Sequence, residues 1–220
     1  MHLSQNKLML RLIMLSLLIQ ITPNVMAKEK TEKSNKSTLA QQVLVTPKQQ
    51  MAANSDALRS LMTALYEQHS EALTKSTKVG PREMTEWVFD GKNNWKFDAL
   101  RNQQGNDALA LLFDENYQGD VVLALVVGLE TLLFKAYGGS NEFELPKEVN
   151  AALLTQAICD IASFKQQILN PTAQSNGNGQ SAVFFANVKT AELVQLTLSQ
   201  ITAHIEMNKG LILECKKTMI

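Results

Sequence analysis

Glu130 has the surroundings that prepare a side chain for chemistry. It is the only charge between Val121 and Phe134, a stretch that is otherwise apolar apart from Thr131. A carboxyl group buried there has its charged form disfavoured, which is how general acids are made ready. Cleaving a glycoside takes a second carboxylate about 5–9.5 Å away, and Asp114, Glu115, Glu142 and Glu144 are all available without any being singled out by spacing. Trp87 and Trp95, with Phe89 and Phe97, bracket a polar turn, and their ring faces suit the apolar face of a sugar. Both features also have a plain structural role. One turn of an apolar helix can reach a polar neighbour, and two indoles can pin an irregular segment to a core. No second carboxylate stands at helical spacing from Glu130, so the structural role is the stronger reading and catalysis by Glu130 the weaker.

Other chemistries find less support. His2, His69 and His204 are far apart with no His-x-x-x-His pair, so no metal site is expected. The Gly-x-Ser-x-Gly turn of serine hydrolases is missing, and the Ser-x-x-Lys match falls at Ser4–Lys7. Gly177–Ser181 is glycine-rich but lacks the lysine of a phosphate loop, and no cofactor is implied. Cys159 and Cys215 form no Cys-x-x-Cys; they fit either a disulfide or two buried thiols. On balance the residues lean away from an enzyme.

The compartment follows from the amino terminus. Lys7 and Arg11 precede an apolar run from Leu12 to Ile21, and Val25 and Ala27 suit the small positions before a signal cleavage site, so processing is expected between Ala27 and Lys28. The run is short of the roughly 20 apolar residues of a membrane span. With no cysteine near the cut to carry a lipid, the mature chain is expected to be soluble, without stable membrane insertion, and periplasmic or secreted, with the bacterial periplasm favoured. Lysine plus arginine and aspartate plus glutamate number 21 each in the 220 residues, and losing Lys7 and Arg11 leaves the remainder slightly acidic. Without a basic stripe, a nucleic-acid partner is not expected.

The elements that must position these residues are helical. With 45% hydrophobic and 19% charged residues the chain is globular. Residues 28–48 are expected to be a flexible polar arm ended by Pro47, and 50–220 a single compact, all-α, bundle-like domain of about five or six helices. Apolar residues at three- and four-residue steps predict a helix from Ala52 to about Lys75, another beginning at Leu145-Pro146 and ending at Asn170-Pro171, and a longest helix from Phe184 to Ile205. Pro81 starts a short helix to Phe89, and Asp107–Glu115 is another. Near 120–137 lies a central helix apolar on every side, capped by Asp120 and stopped by Tyr137-Gly138-Gly139. His69 falls on the first helix's apolar stripe as a boundary residue. No segment alternates as a strand would.

The stretch Gly128–Leu133, continuing through Ala136-Tyr137-Gly138-Gly139 to Asn141-Glu142-Phe143, resembles a group of uncharacterised exported proteobacterial proteins, and Met84–Trp95 joins the same resemblance. In that group an apolar helix is followed by a Tyr-Gly-Gly-like turn and a polar helix. The resemblance covers roughly half the chain, implies an exported helical fold, and carries over no functional residue. From the polar arm, the long carboxy-terminal helix and the lack of a convergent set of reactive groups, the expectation is a non-enzymatic accessory or adaptor protein that binds another envelope protein. The alternative is a small cell-wall hydrolase or glycan-binding protein using Glu130 with Trp87 and Trp95.

Overall fold

Pro47 opens a helix instead of closing an arm. In the computed structural model, which describes residues 46–91, 94–140, 145–169, 180–208, 211 and 215, helix α1 runs Pro47–Gln68 with proline in its first turn, where a missing N–H costs nothing. Thr46 and Gln49 form a reciprocal capping box: the Gln49 N–H donates to Thr46 Oγ1, and the Thr46 N–H donates to Gln49 Oε1. The signal was a Thr-Pro-Lys-Gln sequence read as a terminator. Residues 28–45 of the expected arm lie outside the described residues. Leu58, Leu61, Met62 and Leu65 make the buried face of α1. The helix breaks at His69, whose backbone leaves the helical region, and resumes as the short α2, Ser70–Leu73. The single helix expected to Lys75 is thus two.

Helix α3, Pro81–Asp90, packs on α1. A 3-10 turn at 98–100 leads to α4, Gly105–Ala110, and a second 3-10 turn at 111–113 follows it. Helix α5, Val121–Ala136, is capped by Asp120, which accepts from the Leu123 N–H. Fourteen of its sixteen residues are buried, so it must be enclosed, and α1, α2, α4, α6 and α7 all pack against it. Gly128 is what admits α4: a Cβ there would come within 2.8 Å of the Leu109 side chain and 3.2 Å of the Gly105 carbonyl oxygen. Gly138, at φ +84° and beside Pro146, makes the exit turn.

Helix α6 is Ala151–Leu169. It starts later than Leu145-Pro146 because Asn150 supplies the cap, its Oδ1 accepting from the Ala152 N–H at 2.9 Å. The expected longest helix is divided at Asn187 into α7, Gln180–Ala186, and α8, Val188–Glu206. Asn187 caps α8 through its side chain, and α1 becomes the longest described helix. Helix α8 packs on both α1 and α6. The architecture is all-α, with eight helices and no strand among the described residues. Val43–Ile220 form one compact unit. Cys159 on α6 and Cys215 beyond α8 are joined at disulfide distance, Cα to Cα 5.3 Å, and Leu211, between α8 and Cys215, packs on the core.

Candidate functional site

Glu130 points from α5 at α1. Ser55 donates to its Oε1 at 2.7 Å, while Oε2 is buried without a hydrogen-bond partner. Burial pushes its pKa up to about 7, against the pull of the Ser55 hydrogen bond and the nearby Arg59 charge, with Asp56 adding to the rise. Arg59 does little for it because both guanidinium arms are taken by Asp90, each at 2.7 Å, and its face covers the Phe89 ring. The same fork holds the Asp90 carboxyl below its usual range. The carboxyl of Glu130 can therefore hold a proton near neutrality, but at 3% exposure no substrate reaches it.

The aromatic residues do not join Glu130 in an open site. Trp95 leans on Phe134 with ring centroids 5.0 Å apart, tying the 94–97 segment to the end of α5. Trp87 lies on the outer side of α3, 44% exposed. Of the proposed second carboxylates, Asp114 is held by Arg101 and the Asn116 N–H, and Glu115 is exposed on the following turn. Glu142 and Glu144 lie outside the described residues. His69 is a satisfied boundary residue: Nε2 meets Thr190 Oγ1 at 2.7 Å and the ring packs on Phe184. Among the described residues no group of three or more His, Cys, Asp or Glu is placed to hold a metal ion.

Three arrangements lay beyond the sequence reading. The first is a buried belt in which His204 Nδ1 donates to Asn54 Oδ1 at 2.8 Å and Asn54 Nδ2 donates to the Tyr137 hydroxyl at 3.3 Å, linking α8, α1 and the end of α5. The second surrounds Asp120, which accepts from the Tyr66 hydroxyl at 2.8 Å and from Ser76 as well as from its own helix. Its pKa is raised by burial and pulled back by those donors. Only the cap was legible, from the Asp-Val-Val start of an apolar run. The third is a pair of neighbouring surface clefts of about 250 and 200 Å³ that share Asp107; neither is lined by Glu130, Trp87 or Trp95.

No family model, curated protein or solved structure matches the chain, so the functional reading rests on its own geometry.

Proposed function

We propose that the chain is exported, is cut after Ala27, and acts as a non-enzymatic accessory or adaptor protein that docks on another protein of the cell envelope. One observation carries the docking: of the large apolar side chains most exposed among the described residues, all but Trp87 sit on or just beyond α6, α7 and α8. Val183, Val188, Leu196 and Met207 are each at least 65% exposed. At 3.6 residues per turn Val188, Leu196 and Met207 project within an arc of roughly 100°. That arc turns away from the buried Val194, Leu198, Ile201 and Ile205. Apolar side chains gathered on one face, instead of scattered, mark a protein contact. The exposed Lys189, Glu192 and Glu206 fall in the same arc, so the face suits a partner offering apolar side chains with charges of both signs beside them. The Cys159–Cys215 pair suits an oxidising compartment. We do not favour the hydrolase, because its acid is sealed between α1 and α5.

A photo-crosslinking residue at Leu196, installed in native host cells, is expected to capture one dominant envelope protein. Leu196→Glu, introduced separately into the chain carrying the crosslinker at Val188, is expected to abolish the capture with an unchanged melting temperature. Intact mass under non-reducing conditions reports cleavage after Ala27 and the bridge together. A correctly cut, folded chain that captures nothing above background would defeat the adaptor reading.

A further inference from the structure

The larger cleft opens where α4 meets the end of α5 and the first half of α6, and its walls are chemically sorted. Leu132, Leu153 and Ala157 form an apolar side, with Leu153 45% exposed at its edge. Asp107 comes from α4, Lys135 from the last turn of α5, and Asp160 from α6. Asp160 is fixed in place, since Asn106 donates to one carboxylate oxygen at 3.0 Å and Gln156 to the other at 2.8 Å. The side chains of Asp107 and Lys135 make no hydrogen bond or ion pair with another described residue. Gly105 is buried at this cleft with φ +54°; its N–H donates to Thr131 Oγ1 at 2.7 Å, and a Cβ there would meet nothing within 4 Å. In the adjoining hollow, which Asp107 also borders, Gln103 keeps a buried Oε1 without a hydrogen-bond partner.

A volume of about 250 Å³ is below the roughly 300–1,000 Å³ that drug-sized ligands occupy, which limits the occupant to a small molecule. Two carboxylates call for an ammonium, one lysine for a carboxylate, and the leucine wall for a short apolar side chain. We propose that the cleft binds a free amino acid or a dipeptide. The ammonium group sits between Asp107 and Asp160, the carboxylate meets Lys135, and the side chain lies on Leu153. The site is independent of the α8 face.

Calorimetric titration of the purified chain with alanine, leucine, Ala-Ala and Leu-Ala, followed by N-acetylated and C-amidated forms of the best binder, tests this. Blocking either end is expected to weaken binding by about tenfold, the worth of one charge-assisted hydrogen bond. Asp107→Asn is expected to weaken the free form and make it indifferent to acetylation, and Lys135→Met to do the same for amidation. Both side chains are exposed, so melting temperatures should be unchanged; if either variant melts early, Asp107→Ser or Lys135→Gln replaces it. No heat from any probe at about 10 mM, where affinity is too weak to be specific, overturns the proposal. So does binding that both substitutions leave unaltered, or a simple alkylamine that binds as well as the amino acid.

Discussion

Asp120 and Glu130 are both buried carboxyl groups on α5, one at its cap and one within its body. Asp120 gathers the Tyr66 hydroxyl, Ser76 and the Leu123 N–H. Glu130 has Ser55 alone and an oxygen with no partner. The difference lies in where the helix has donors to spare. The first N–H groups of a helix have no carbonyl to meet, so a cap residue receives one without help from the rest of the fold. In the body of the helix every N–H is already bonded to the carbonyl four residues back. A carboxyl there depends entirely on what the neighbouring helix brings, and α1 brings one hydroxyl and an arginine already engaged by Asp90.

The largest effect should come from Asp120→Ala, which strands the Tyr66 and Ser76 hydroxyls and removes the cap. A loss of about 3–5 kcal/mol in urea unfolding is expected; a loss below about 1 kcal/mol would break the contrast. Next comes pH. The folded pKa of Glu130, about 7, lies above its unfolded value. Its contribution is therefore fully present below the unfolded pKa and is lost as pH rises through 7. A shift of this size corresponds to about 3 kcal/mol between pH 4 and pH 8. Glu130→Gln is expected to remove that part of the slope and to be more stable than the parent at pH 8, and unchanged pH profiles in the two proteins would end the account. Tyr66→Phe, which takes one donor from a carboxyl that keeps others, should cost about 1–2 kcal/mol by thermal unfolding. The smallest effect is expected from Ser55→Ala at pH 5, about 1 kcal/mol, with the carboxyl titrating at higher pH than in the parent when followed by NMR.

The limits of α5 could be read from the sequence because its signals are local: an aspartate before an apolar run, and Gly138-Gly139 after it. The burial of Glu130 was legible for the same reason. Its partner was not, since Ser55 is 75 residues away and nothing in either neighbourhood names the other. Asn187 was passed over because apolar residues recur at three- and four-residue steps from Phe184 through Val188 and Ala191, although Val188 is exposed; the extended backbone of Asn187 and its side-chain cap divide the two helices. Pro47 was taken for a stop because a proline can end one segment or begin the next; the Thr46–Gln49 pair decides between them. The cleft at Asp107, Lys135 and Asp160 is built from ordinary polar residues of three elements, and only their convergence makes it a feature.

The carboxylate in the body of α5 also bears on the chain before it folds. No described helix is long and apolar enough to cross a membrane, yet α5 is the most apolar of them, and a nascent segment of that kind is drawn towards a bilayer. A charge at the middle of an apolar segment opposes that transfer by about 2.5–3.5 kcal/mol, whereas leucine favours it slightly. Glu130→Leu would thus relieve an unpartnered oxygen in the finished protein while making the unfolded segment more attractive to lipid. The substitution that best suits the native core is the one most apt to divert the chain on its way there.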